Sequence, residues 1–288
     1  MKILWIATLM SMVGSWVLAV EKPKTETIQW AMTDFPPFIL LSSDGANVDI
    51  QKSQGPFAEI YRELVRSLPQ YEHKFVRASF LRAERLFLSH RHFCTLLLQD
   101  TPARSHYLIF GAEVARALPI GLVMSPGSYS KFQQYETADG MELTKLVQAG
   151  DFRLGVVQGR SYSNQIDRLI VRAKDSYRHV SDQAVGGLFV MLEKNRLDGV
   201  LSYYLEEWDH RKGREAGALK YLAVKEAPAY ISVRASCEKT PWGESTIKEI
   251  SKVVEEKNVR SRIYDYFQKS LPKEMRGKVR EIYRGLLP

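Results

Sequence analysis

Residues 27–38 read TIQWAMTDFPPF. The first six mix β-branched, aromatic and apolar side chains as a strand does. Two adjacent prolines follow; neither can donate to a sheet, so the chain must leave it there, carrying Phe35 and Phe38 on the turn. The next segments set the fold class. GPFAEIYRELVRSL (55–68) places Phe57, Ile60, Tyr61, Leu64, Val65 and Leu68 on one helical face. KFVRAS (74–79) then reads as a strand, FLRAERLFLS (80–89) as a helix, and FCTLLLQ (93–99) as an unbroken apolar strand suited to a sheet covered on both sides. This βαβαβ order predicts parallel strands joined by right-handed crossovers.

The pattern breaks at LPIGLVMSPGSYS (118–130) and resumes as a second alternation. MELTKLVQ, NQIDRLIVRA and GGLFVMLEK read as helices, and FRLGVV, YRHV and LDGVLSY as strands. Two strand-like pieces, YLAVKE (221–226) and AYISVRA (229–235), come next. Thr240-Pro241 then opens a helix in the favoured capping order, with Ile247, Ile250, Val253 and Val254 on its apolar face. SRIYDYFQKSLPKEMRGKVREIYRGLL (261–287) is helical around a break at Pro272. The expectation is two α/β lobes, the chain crossing out once and back once, with the C-terminal helices completing the first. Ligands of such sheets sit beyond the carboxyl ends of the strands.

MKILWIATLMSMVGSWVLAV (1–20) has one early charge, Lys2, then a mostly apolar run, and the charged EKPKTE follows. It fits a secretory signal cut after Ala19, the alternative being a retained anchor. The 288 residues carry a formal net charge of +8. Basic and acidic residues interleave in the C-terminal part (KEISKVVEEK), as on solvated helix faces, which argues against a nucleic-acid surface. The two cysteines, Cys94 and Cys237, form one disulfide in an exported chain or are two buried thiols. There is no CxxC, HExxH or Cys/His cluster, so neither metal nor cofactor is expected.

Three loops leave the ends of expected strands: TDFPPF (33–38), QDTPAR (99–104) and QGRSYSN (158–164). The latter two open helices, whose free N–H groups favour an anion, and Arg104 falls in the first turn of one of them. An arginine so placed holds a carboxylate bidentately, unless it makes only a surface ion pair.

These motifs together resemble the bacterial periplasmic solute-binding proteins of family 3, the polar amino-acid binders of ABC importers. The resemblance rests on DFPPF, on Gly55-Pro56-Phe57 opening a helix, on Thr101 to Arg104 after the third strand, on LGVVQGRS, and on Leu197-Asp198-Gly199-Val200. It spans nearly the whole mature chain in the family's order, as a divergent branch. It implies a two-lobed type II fold: signal 1–19, first lobe 20–122 completed by 227–288, second lobe 123–226, and two crossover strands as hinge. It further implies a pocket in which Phe35 stacks on a ligand, Phe38 supports that loop, Phe80 covers the other side, Gln99 makes a polar contact and Arg104 clamps a carboxylate. Ser161 and Tyr162 meet the ligand from the second lobe, as does Tyr203. Read as residues alone, Phe35 and Phe38 are equally core aromatics, Ser161 is equally a helix cap, and Asp198 shapes the turn into its strand.

The departures from the family matter. Tyr203 stands where amino-acid binders carry an acid for the ligand ammonium, and a phenol supplies no charge at neutral pH. The Phe-Ser-x-Pro-Tyr segment reads Phe110-Gly111-Ala112-Glu113-Val114. Cys94 and CEKTPWG (237–243) match a branch in which both cysteines fall in the first lobe, which favours the disulfide. The implied function is capture of a small carboxylate-bearing solute by hinge closure, by a periplasmic monomer serving a membrane ABC permease or a sensor. The alternatives are a dehydratase-like or transglycosylase-like enzyme on the same scaffold, with Glu113 or His106 as acid or base, and an envelope protein without a ligand.

Overall fold

The computed structural model describes residues 26–172, 177–180, 185–212 and 219–284; the expected signal at 1–19 lies outside them. Two sheets organise the chain. The first begins with β1 (Glu26–Met32), the short hairpin β2 (Ser43–Asp44) and β3 (Asn47–Val48), and helix α1 (Pro56–Ser67). β4 (Tyr71–Arg77), α2 (Phe80–Phe87), β5 (Phe93–Thr95) and the long β6 (Leu108–Ala117) follow. β1 pairs in parallel with β4 on one side and β5 on the other, as the βαβαβ reading requires.

The chain then enters the second sheet through β7 (Gly121–Met124), α3 (Pro126–Phe132), the hairpin β8 (Glu136–Thr137) and β9 (Gly140–Met141), and α4 (Leu143–Gln148). β10 (Leu154–Val157), α5 (Asn164–Arg172), β11 (Tyr177–Val180), α6 (Gly186–Glu193), β12 (Gly199–Ser202), α7 (Tyr204–Arg211) and β13 (Lys220–Ala223) complete it. β14 (Ile231–Glu238) returns to the first sheet, and α8 (Pro241–Glu255), α9 (Lys257–Ser270) and α10 (Lys273–Ile282) pack beside it.

The sheets repeat one plan. Their strand orders are β2-β3-β4-β1-β5-β14-β6 and β11-β10-β12-β7-β13. In each, three parallel strands run second-first-third, and an antiparallel strand contributed by a crossing segment lies beside the third. The carboxyl ends of the parallel strands therefore carry the loops singled out in the sequence.

The first core forms around Trp30, which is fully buried, packs edge-on to Tyr61 at 5.3 Å and donates its indole N–H to His73 Nδ1 at 3.0 Å. Burial of one such side chain contributes about 1.5–3 kcal/mol. The α1 face is as expected, with Val65 only half-buried and Glu63 buried in addition. Arg262 and Arg66 each bind the Glu63 carboxylate at 2.6 Å, tying α1 to α9. Burial works against ionisation of Glu63, but these guanidinium hydrogen bonds and charges outweigh it and hold its pKa down at about 2.

Thr240 Oγ1 caps α8 by accepting from the Gly243 N–H at 3.1 Å, and the four apolar residues expected on that face are buried. Cys94 and Cys237 sit opposite each other on β5 and β14 and form the disulfide.

Three elements differ from expectation. FCTLLLQ is a strand only through Thr95; Leu96–Leu98 bend away, with the Leu96 N–H donating to the Tyr61 hydroxyl at 3.0 Å. The stretch around Phe110–Val114 is a ten-residue strand, because its charged members bond within the fold: Arg116 Nε donates to Glu113 at 2.6 Å and Arg116 Nη1 to the Ile282 carbonyl at 2.7 Å. Helix α7, unexpected, starts at Tyr203, whose backbone N–H donates to Glu206 at 3.0 Å.

Candidate functional site

The lip formed by TDFPPF is fixed from its flanks. Thr33 Oγ1 donates to the Ala78 carbonyl at 2.7 Å, and Asp34 accepts from the Leu41 N–H at 2.9 Å. The Pro36–Pro37 peptide is cis, and Phe35 and Ile39 exchange backbone hydrogen bonds across it. Helix α1 abuts this loop because Gly55 precedes it: φ is +98°, and a Cβ there would meet the Phe38 carbonyl oxygen at 2.4 Å.

Phe35 and Phe38 therefore point together, ring centroids 4.9 Å apart, with Phe80 at the start of α2 6.4 Å from Phe35. Tyr203, from the second lobe, closes the cluster at 5.7 Å from Phe35 and 5.3 Å from Phe38. The Tyr203 hydroxyl accepts from Gln99 Nε2 at 3.0 Å. Burial pushes the Tyr203 phenol up to about 12, so it stays neutral. Five of the eight residues singled out in the sequence, Phe35, Phe38, Phe80, Gln99 and Tyr203, thus meet at one seam between the lobes.

Arg104 reaches the same seam. Its Nη1 donates to the Gln99 carbonyl at 3.0 Å and its Nη2 to the Gly159 carbonyl, on the other lobe, at 2.9 Å. Burial lowers its pKa without threatening its charge. Gly159 adopts φ +75°, and a Cβ on it would lie 3.0 Å from Phe80 Cβ, so the two lobes touch here through a residue that has none.

The other two expected contacts face elsewhere. Ser161 donates to the Asp167 carboxylate, which also accepts from the Tyr162 N–H at 2.8 Å, a lock on the turn into α5. Tyr162 is 1 % exposed, and its hydroxyl accepts from the Val157 N–H at 2.7 Å inside the second lobe. Asp198 binds the Arg153 backbone N–H and guanidinium at 2.8 Å, shaping the turn into β12. Glu113 is held by Arg116, and His106 is an exposed residue of a 3₁₀ turn.

Sequence reading missed the residue that fills the seam. Arg160 lays its guanidinium 4.4 Å from the Phe35 ring centroid and 6.0 Å from that of Phe80. Its two amino groups bind Glu206 at 3.0 Å each, and the side chains are 4 % and 0 % exposed. Glu206 also accepts from Ser202 Oγ at 3.1 Å and from the Tyr203 N–H. In QGRSYSN an arginine reads as surface charge; the sequence signal was its place in a glycine turn at the end of an expected strand.

Between Phe35, Phe38, Leu97, Gln99 and Tyr203 a cavity of about 40 Å³ remains, enough for a few waters and too small for an amino acid. A larger cavity of about 460 Å³ adjoins it, lined by Gln99, Asp100 and Ser105 of the first lobe, Ser163 and Asn164 at the start of α5, and Ser232 and Arg234 of β14.

No family model matches the sequence, and no curated protein matches it at the level of sequence. Solved structures do match in shape. An ancestral arginine-binding protein bound to arginine aligns with TM-score 0.62 at 15 % identity, over 83 % of this chain and 96 % of that one. An amino-acid ABC transporter substrate-binding protein from Streptococcus pneumoniae, bound to L-arginine, aligns with TM-score 0.62 at 12 % identity, over 86 % and 94 %. An arginine third transport system periplasmic binding protein from Legionella pneumophila aligns with TM-score 0.61 at 15 % identity, over 86 % and 100 %. The chain has the two-lobed α/β fold of these proteins.

Proposed function

We propose that this chain is a periplasmic solute-binding protein that takes up a small carboxylate-bearing solute between its lobes and presents the closed form to the permease of an ABC importer. The lobes are residues 20–122 with 227–288, and residues 123–226, hinged where the chain crosses at 118–120 and 224–230. The observation that carries this is the make-up of the seam. Arg104 to Gly159, Gln99 to Tyr203 and Arg160 over Phe35 are separate polar and cation–π contacts, each worth on the order of 1 kcal/mol net. Beside them lies one apolar contact, Tyr203 against Phe35 and Phe38, and a junction with so few polar bonds can part and re-form by a hinge.

The guanidinium groups of the region support a solute that carries a carboxylate. Arg104, Arg160 and Arg234 gather there, while the nearby carboxylates Glu206 and Asp167 are bound to Arg160 and to the Ser161 turn. The commitment of these two carboxylates, with Asp100 in the cavity wall accepting from Ser105, favours binding over acid–base catalysis. Arg104 acts as the latch that stabilises the closed form. The amino-acid-binding names of the structural neighbours support the same reading. A second reading, a sensor or envelope partner whose cleft is sealed without a ligand, is favoured by Arg160 filling the aromatic slot.

The test is thermal melting of the mature protein against amino acids, organic acids, amines, sugars and peptidoglycan fragments. A ligand at a hundred times its Kd adds about 2.7 kcal/mol, which raises the melting point by several degrees. Arg104→Ala removes one charge-assisted bond across the seam, so affinity for the hit falls roughly tenfold or more. A flat panel with folded protein refutes the solute-binding reading in favour of the sealed one.

A further inference from the structure

Arg234 has no partner among the described residues. Among the described residues its side chain makes no hydrogen bond, ion pair or ring contact, and its Nε is shielded from solvent as well as unbonded. Its cross-strand neighbour in register is Glu113, the natural counter-ion, yet the Glu113 carboxylate is taken by Arg116 Nε at 2.6 Å. The β14–β6 ladder shifts register on both sides of Arg234, between Val233 and Arg234 and again between Arg234 and Ser236. Irregularities of this kind re-aim a side chain, commonly beside a site. Here the residue lines the 460 Å³ cavity between the lobes. Ser232 lines the same cavity and its hydroxyl, also shielded, has no partner. The aromatic slot is filled by Arg160, and among the described residues this open cleft beside it has the room for a solute that the slot lacks.

We propose that the cavity walled by Ser232 and Arg234 of β14 and by the start of α5 holds the carboxylate of the solute in the closed form, with Arg234 as its cation and the Ser232 hydroxyl as a further donor. This rests on the solute-binding reading and deepens it. An unpaired, partly buried guanidinium is unfavourable until an oxyanion meets it, and its fork suits a carboxylate. Asp100 lies in the same lining, where Ser105 Oγ donates to it at 3.3 Å. A carboxylate facing the cavity disfavours a polyanion and suits a solute whose remainder is neutral or cationic. Arg234 is on the strand by which the chain returns from the second lobe, just past the crossing at 224–230, so the solute is gripped beside the hinge, where closure brings Ser163 and Asn164, at the start of α5, over it.

The experiment is isothermal titration of the wild type, Arg234→Gln, Arg234→Lys and Ser232→Ala with the twenty L-amino acids, lactate, succinate, glucose and inorganic phosphate. The expected result is binding of a monocarboxylate or amino acid, weakened at least tenfold in Arg234→Gln, less in Arg234→Lys, and several-fold in Ser232→Ala. Carboxylate binding that is equal in all four proteins overturns the role of Arg234 and leaves the solute-binding reading standing. Binding of glucose or phosphate alone overturns the carboxylate class but again not that reading. A wild type that binds none of the probes overturns both. Where Arg234→Gln fails to melt cooperatively, the Lys and Ser232→Ala proteins decide.

Discussion

Removing the Glu206 carboxylate measures how firmly the seam is closed. Arg160 and Glu206 both belong to the second lobe, but the lid over their guanidinium–carboxylate pair is Phe35 of the first. In the closed form the side chains are 4 % and 0 % exposed, and Glu206→Ala strands a guanidinium there without its counter-ion. Loss of one partner of a buried pair costs about 3–5 kcal/mol. At roughly 2–4 °C per kcal/mol for a chain of this size, that lowers the melting point by roughly 6–20 °C. The double variant Arg160→Met, Glu206→Leu leaves no charge behind and recovers the part of the loss due to the stranded guanidinium, but not that of the Tyr203 N–H and Ser202 hydroxyl, which still lack their acceptor. Urea unfolding at pH 7, monitored by both fluorescence and circular dichroism, provides the numbers. A loss below about 1 kcal/mol in Glu206→Ala would refute the reasoning. The pair would then be hydrated, which means that Phe35 is not resting on it and the lobes stand apart in solution.

Three further outcomes are expected. Cys94→Ser, or reduction of the native protein, frees a loop closed across 143 residues, a loss of up to about 5 kcal/mol by the chain-entropy relation; an unchanged urea midpoint would argue that the bond is not formed. Glu63 has a folded pKa near 2, below its usual 4.5, so its contribution is complete above about pH 4.5 and disappears as pH falls toward 2. Glu63→Gln therefore flattens the acid limb of stability by up to about 1.4 kcal/mol per pH unit, and an identical acid limb in both proteins would count against the Arg66–Glu63–Arg262 cluster. Gly159→Ala places a side chain at φ +75° and against Phe80, and should destabilise by about 1–2 kcal/mol while enlarging the radius of gyration; a neutral, equally compact variant contradicts the close approach of the lobes.

The alternation of periodicities was enough to read two α/β units, because each buries complete helix faces and apolar strands. It failed where polar residues are satisfied inside the fold. β6 reads LIFGAEVARA, and nothing local says that Glu113 and Arg116 bond each other and the end of α10. YLEEWDHR hid a helix because its start depends on Glu206 receiving the Tyr203 N–H. Leu96–Leu98 prolonged an apolar run past the end of its strand, since hydrophobicity alone does not mark a bend. At the seam, loops that leave strand ends were visible, and so were their aromatics. Arg160 and Arg234 were not, because whether an arginine is paired, buried or idle is decided by partners far away in the chain.

The disulfide has a mechanical consequence. Residues 26 and 284 both lie with the first sheet, and the Cys94–Cys237 bond joins β5 directly to β14. When the described chain is pulled from these ends, tension travels through the sulfur bridge and bypasses the second lobe, which hangs from it as an unloaded ring. Forced unfolding of the oxidised protein can release only the chain outside that ring, so the second sheet, with β6 and most of β14 of the first, survives a force that strips β1, β4 and the C-terminal helices.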